Sequence, residues 1–85
     1  MKLYYRLNPD DYRACLDKIR ERFSMHEEVD EARTILLLDD EDLIERVIGT
    51  LDPRSDDVAQ VRVTLVDESL REFFDSVLGE PYRVK

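Results

Sequence analysis

The side chains most able to do chemistry in this 85-residue chain are carboxylates, because 21 residues are Asp or Glu against 13 Lys or Arg. Grouped carboxylates can bind a hard cation such as Mg²⁺, or they can occupy a basic surface on another macromolecule. Acidic residues at helix N-termini also stabilise the helix itself. The candidate partner-binding residues are Glu27, Glu28, Asp30, Glu31, Asp39, Asp40, Glu41, Asp42, Asp56 and Asp57.

The other reactive residue types do not form a recognisable catalytic or metal-binding set. His26 is the only histidine, and neither a second histidine nor a nearby cysteine completes a metal site. Cys15, the only cysteine, falls in an apolar stripe that is typical of a buried structural thiol. None of the four serines lies in a nucleophile elbow. We therefore predict a protein that is not an enzyme and that needs no cofactor or metal.

A cation site receives some support from the stretch between Ile35 and Leu43, which reads Ile-Leu-Leu-Leu-Asp-Asp-Glu-Asp-Leu. It resembles the opening strand and acidic pair of two-component receiver domains. The resemblance implies that Asp39 and Asp40 help to hold Mg²⁺ beside a phospho-accepting Asp. Receiver domains also need that Asp on a later strand and a Lys beyond it, but Lys85 is the only Lys after position 42. The chain is therefore not assigned to that family, and Mg²⁺ at Asp39 and Asp40 remains a minor alternative.

The clearest element that could position these residues is a helix over 9–23. Its apolar residues Tyr12, Cys15, Leu16, Ile19 and Phe23 recur at helical spacing. Asn8 is a favourable N-cap and Pro9 suits the first helical position. The preceding residues 2–7 have the composition of a strand.

Further along the chain, strands and helices are predicted to alternate. Residues 24–33 fit either a loop or a helix, and residues 34–38 form a short apolar run typical of a buried strand. A second helix is predicted from Asp39, with Leu43, Ile44, Val47, Ile48 and Leu51 on one side. A strand at 58–66, a third helix from Asp67 to Leu78 and a short edge strand at 82–84 follow.

This order predicts an α/β fold. We expect one small compact domain over 1–85, with three βα units plus a short C-terminal strand and a mainly parallel or mixed four-stranded sheet. In such a sheet the helix N-termini meet at one edge. That edge would gather Asp10, Asp11, Asp39, Asp40, Glu41, Asp42, Asp67 and Glu68.

The charge distribution provides the functional hypothesis. The net charge is −8, and residues 24–57 alone hold 12 acidic and 3 basic side chains. Such a chain should repel phosphate and attract basic proteins. We therefore predict a non-enzymatic acidic binding protein of the inhibitor, antitoxin, immunity-protein or nucleic-acid-mimic type. Its partner would be a basic protein surface, for example on a nucleic-acid-binding protein, with no direct contact to nucleic acid.

The alternative is an accessory or regulatory subunit that uses an apolar interface. Exposed Tyr4, Tyr5 or Phe74 would favour that alternative. A homodimer could also form through an edge strand at 58–66 or 82–84. No apolar run reaches the length of a membrane span, and a lone cysteine does not require an oxidising compartment. We therefore expect a cytoplasmic protein that does not contact membranes.

Overall fold

The computed structural model describes residues 1–23, 25–29, 33–38, 43–51 and 58–85. Their strands form one six-stranded antiparallel sheet with the order β2-β3-β4-β5-β1-β6. The strands are β1 (Lys2–Leu7), β2 (Met25–Val29), β3 (Arg33–Leu38), β4 (Ile44–Leu51), β5 (Ala59–Leu65) and β6 (Arg83–Val84). The helices are α1 (Pro9–Arg22) and α2 (Arg71–Leu78), and a 3₁₀ turn at Glu68–Leu70 precedes α2.

The predicted α/β class is wrong. No described strand pairs in parallel with its neighbour, and the described structure contains more sheet than helix. Both helices pack on one face of an antiparallel sheet, which is the arrangement of an α+β fold. The residues predicted to form a second βα unit instead contribute β4. The strand predicted at 58–66 does form, but as β5 it lies between β4 and β1 and offers no free edge for a homodimer.

The predicted first helix is confirmed as α1. The Asn8 side chain accepts a hydrogen bond of 2.8 Å from the backbone N–H of Asp11, so it caps the helix as its residue type suggests. The apolar stripe is buried from Tyr12 to Ile19. In the sheet, β2 lies four strand positions away from β1, and this sideways distance is about 19 Å at the usual spacing of neighbouring strands. A 14-residue helix is about 21 Å long, so α1 covers most of the distance that this connection crosses.

The prediction of a helix from Asp39 to Leu51 is wrong for every residue that the structure describes there, because 44–51 form β4. A β-bulge explains the misleading pattern. Ile44 pairs with Leu65 and Arg46 pairs with Thr64, so one extra residue lies between them. The bulge turns Ile44 and Val47 to the same buried face although they are three residues apart. That spacing imitates one turn of a helix.

A strand also replaces the alternatives considered for 24–33, since residues 25–29 form β2 and neither a loop nor a helix. The third predicted helix is largely confirmed. The Asp67 side chain accepts a hydrogen bond from the backbone N–H of Ser69 and caps the 3₁₀ turn, after which α2 continues to Leu78. Gly79 ends the helix with a φ of 84°, a conformation that favours glycine.

The core lies between the helices and one face of the sheet. The Tyr5 hydroxyl of β1 donates a 2.9 Å hydrogen bond to Asp75 of α2. Between the helices, Phe23 stacks on Phe74 with ring centroids 6.2 Å apart, and Phe73 meets both rings edge-on. The fully buried residues include Leu3, Tyr5, Ile19, Leu36, Ile44, Val47, Val61, Val63 and Phe74.

Gly49 allows α1 to pack closely on β4. A Cβ atom built on Gly49 would lie less than 3 Å from the Tyr12 ring and hydroxyl. Both residues are buried, so neither can move toward solvent without disturbing the core. The small residue is therefore required by the contact and not by backbone geometry.

We expect Gly49→Ala to lower the free energy of unfolding by about 1–3 kcal/mol, because the added methyl group overpacks the core. Urea denaturation would measure the effect. In a Tyr12→Ala background the same substitution should cost much less, since the ring that it meets is absent. An equal cost in both backgrounds would show that the contact with Tyr12 is not the reason for the glycine.

Candidate functional site

Two of the ten predicted partner-binding residues lie in the described part of the chain, Glu27 and Glu28 on β2. The other eight lie outside the described residues, namely Asp30, Glu31, Asp39, Asp40, Glu41, Asp42, Asp56 and Asp57. Their role in binding therefore stays a prediction. The two that are described have different environments and point to opposite faces of the sheet.

Glu27 is exposed, but it forms an ion pair with the first helix. Its carboxylate accepts two hydrogen bonds from the Arg20 guanidinium of α1, one of 2.6 Å from Nη2 and one of 3.3 Å from Nε. This two-point contact, aided by Asp17, raises the pKa of Arg20. Glu27 pairs across the sheet with the buried Leu36, so it lies on the face that the helices cover. It fastens β2 to α1 and offers little of its charge to a partner.

The described residues of the predicted acidic edge do not come together, and Asp39, Asp40, Glu41 and Asp42 lie outside the described residues. Asp10 and Asp11 follow the end of β1, where Leu7 pairs with Ala59 at the start of β5. Asp67 follows the end of β5, where Leu65 exchanges backbone hydrogen bonds with Met1. Because β1 and β5 are antiparallel, the N-termini of the two helices lie at opposite ends of the sheet. The expectation of one edge required a parallel sheet and is wrong for these residues.

Among the described residues, the single thiol is buried and no metal-binding cluster is present. Cys15 is buried, its Sγ donates to the backbone carbonyl of Tyr12, and burial followed by the Asp11 carboxylate raises its pKa to about 11. Across the described ranges, no three His, Cys, Asp or Glu side chains are placed to hold a metal ion. His26 is exposed on β2. Among the described helices, none is long and apolar enough to cross a membrane.

The face of the sheet that points away from the helices, here called the open face, is strongly basic. The strand registers place seven cationic residues on it: Lys2, Arg6, Arg33, Arg46, Arg62, Arg83 and Lys85. Glu28 is the acidic residue that the register puts among them. Glu45, at the bulge, forms an ion pair of 2.9 Å with Arg46, which lowers the pKa of Glu45. The open face is therefore opposite in sign to the chain as a whole.

Aromatic rings accompany these cations at the β1–β6 end. The Arg6 guanidinium lies 4.1 Å from the centroid of the Tyr82 ring, and Arg83 lies 5.8 Å from that of Tyr4. The two tyrosine rings are 6.2 Å apart and tilted by 57°. A shallow cavity of about 220 Å³ runs beside them, with Ile48 and Arg62 also in its wall. Tyr5 and Tyr12 are buried, so only Tyr4 and Tyr82 can meet a partner.

The basic open face was not predicted from the sequence, because residues 43–51 were expected to form a helix and because the order of the strands was unknown. The alternation of Arg62 between Val61 and Val63 was the available signal, since it puts an arginine on the uncovered side of a buried strand.

Comparison of the chain with protein-family models, with curated proteins and with solved structures finds no match in any of the three. The function is therefore inferred from the charge and chemistry of the chain's own surfaces.

Glu27 and Glu28 form a matched pair for testing which carboxylate is structural. Glu27→Gln should lower the free energy of unfolding by up to about 1 kcal/mol, because it removes a half-exposed, two-point ion pair. Glu28→Gln removes the same charge from an exposed position and should change stability little. Thermal unfolding at low and at high salt would measure both, and the Glu27 effect should shrink with salt. Equal effects of the two substitutions would contradict this assignment.

The raised pKa of Cys15 predicts a loss of stability in alkali. Below about pH 9 the thiol is protonated in both states and adds no pH dependence. Between about pH 9 and 11 the unfolded chain loses this proton first, so the free energy of unfolding should fall by about 2 kcal/mol. Burial also raises the pKa of Tyr5 and of Tyr12, which adds to the loss above pH 10. Urea denaturation across this range should show a smaller fall for Cys15→Ala, and an identical fall would exclude the thiol as a cause.

Proposed function

We propose that this chain is a non-enzymatic acidic binding protein that acts in the cytoplasm. Its acidic segments would occupy a basic surface on a macromolecular partner, as an inhibitor, antitoxin, immunity protein or nucleic-acid mimic does. The partner would be a basic protein, and one that itself binds nucleic acid has the surface that this chemistry suits. The buried free thiol of Cys15 is consistent with a reducing compartment.

The observation that carries this proposal is where the net charge lies. The sequence segments 30–32, 39–42 and 52–57 hold nine acidic residues and Arg54, a net charge of −8. The rest of the chain holds the remaining 12 acidic and 12 basic side chains, so its net charge is zero. All of the excess charge therefore belongs to the segments 30–32, 39–42 and 52–57.

These segments are consecutive in the chain, since they fall between β2 and β3, between β3 and β4 and between β4 and β5 in sequence. Charge concentrated in a few segments steers a basic partner toward them and raises its association rate. Such binding should weaken as salt rises, because exposed charges are screened.

The alternative, an accessory subunit with an apolar interface, has less support. Of the three residues whose exposure would favour it, Tyr5 and Phe74 are fully buried and Tyr4 is half-buried. The exposed large apolar residues are Val29, Val58, Val66, Tyr82 and Val84. Val29 lies on β2, and Val58 and Val66 flank opposite ends of β5. Scattered single residues of this kind do not define an interface.

The proposal predicts that neutralising one acidic segment abolishes capture of the partner. A variant with Asp39→Asn, Asp40→Asn, Glu41→Gln and Asp42→Asn should lose, at low salt, the protein that the wild type captures from a lysate of the source cell. The matched control carries Glu21→Gln, Glu68→Gln, Glu72→Gln and Glu80→Gln, which removes four charges from exposed residues of the described part. The control should retain the partner, and circular dichroism should show both variants folded.

Elution by salt and displacement by a competing ligand show which kind of surface the captured partner uses. The captured partner should elute between about 0.1 and 0.5 M salt, where surface attraction is largely screened. Duplex DNA should displace it if the acidic segments occupy a nucleic-acid site. Retention at high salt by both the wild type and the four-residue variant would contradict the proposal and favour an apolar interface.

A further inference from the structure

A second surface of the molecule has the chemistry of a ligand site, and it lies on the open face. It consists of Tyr4, Arg6, Arg62, Tyr82 and Arg83, here called the tyrosine–arginine patch. Tyr4 pairs across the sheet with Arg62 on one side and with Arg83 on the other. Arg6 lies two residues further along β1 and stacks on Tyr82. The patch therefore spans three adjacent strands, β5, β1 and β6.

Among the described residues, no carboxylate neutralises the arginines of the patch. Within the described part of the chain, Arg6, Arg62 and Arg83 have no Asp or Glu oxygen within 4 Å. On the helical side, by contrast, Arg13, Arg20 and Arg71 each form an ion pair. Arg6 lies over an aromatic ring, which leaves its N–H groups at the ring's edge available to an anion. The patch thus presents positive charge that no carboxylate of the described residues pairs.

The described residues around the patch are cationic although the net charge of the chain is −8. The described part of the chain is neutral in sum, and seven of its 12 cationic residues lie on the open face. An anion bound on Tyr4 and Tyr82 would meet Lys2, Lys85 and the three arginines first.

From this geometry we propose that the tyrosine–arginine patch binds single-stranded nucleic acid. Unpaired bases stack on the half-buried ring of Tyr4 and the exposed ring of Tyr82, and Arg6, Arg62 and Arg83 contact the phosphates. Side chains two residues apart on a strand are about 7 Å apart, so the patch offers successive contacts along an extended backbone. A paired duplex hides its base faces inside the stack, whereas a single strand can place them on aromatic rings.

The test is fluorescence anisotropy with two end-labelled oligonucleotides, one oligo(dT) and one oligo(rU). Each is about 15 nucleotides long, because binding sites of this kind cover about 4–16 nucleotides. The full chain should bind at low salt, and affinity should fall with salt at a logarithmic slope of about 0.7 per phosphate contacted. A duplex of the same length should bind at least tenfold more weakly. The DNA and RNA arms show which nucleic acid the patch prefers.

Single-residue variants distinguish stacking of bases on the tyrosine rings from general electrostatic attraction. Tyr82→Ala should weaken binding by about tenfold, and Tyr82→Trp should preserve it, because the ring and not the hydroxyl carries the stack. Arg62→Gln should weaken binding and reduce the salt slope by about 0.7. Lys18→Gln, which removes the same charge from an exposed position on α1, should change neither. Thermal unfolding should show that Tyr82→Ala, altered at a half-exposed ring of the sheet edge, stays folded.

Three results would overturn the proposal. The first is the absence of saturable binding at low salt. The second is binding that is equally tight to duplex DNA or to an oligoglutamate peptide, which would make the patch a general anion surface. The third is unchanged affinity in Tyr82→Ala. The variant with residues 39–42 neutralised should bind the oligonucleotide at least as tightly as the wild type, so this site and the acidic segments succeed or fail separately.

Discussion

The direction in which the two helical connections cross the sheet determines most of this structure. Three strands separate β1 from β2, and one strand separates β5 from β6. In an antiparallel sheet each helix therefore joins two strands that run the same way, and such crossovers are right-handed in nearly all proteins. β1 and β5 point in opposite directions, and their connections leave toward opposite edges. Two crossovers of the same hand then place both helices on the same face, so one side of the sheet is covered and the other is open.

The sequence was informative wherever a local pattern and the final packing agree. The strand at 2–7, the capped helix after Asn8 and the helix that ends at Gly79 could all be predicted, because caps and helical spacing depend on neighbouring residues. β4 could not, because its bulge gives a strand the apolar spacing of a helix turn. The alternation of strands and helices was also misleading. Each helix does join strands of the same direction, but other strands lie between them, and no local pattern encodes that pairing.

The functional surfaces could also be predicted only as far as local sequence allows. Composition located the acidic segments, because charge can be counted without knowing the fold. It could not show that Glu27 would be engaged by Arg20, since that contact joins α1 to β2 and depends on their packing. Nor could it show that arginines spread from position 6 to position 83 would meet on one face. The register of β1 with β5 and with β6 brings them together, and this register is a long-range property of the chain.

The shortest strand has a mechanical consequence. β6 has two residues, and at its end Lys2 and Lys85 exchange backbone hydrogen bonds of 2.7 and 2.8 Å. Met1 and Lys85 therefore leave the sheet at the same corner, and any polypeptide fused at either position would emerge there. A force applied between these two positions acts across the strands and not along them. It would break the hydrogen bonds between β1 and β6 one after another. Tyr82 would separate from Tyr4 before the core is disrupted.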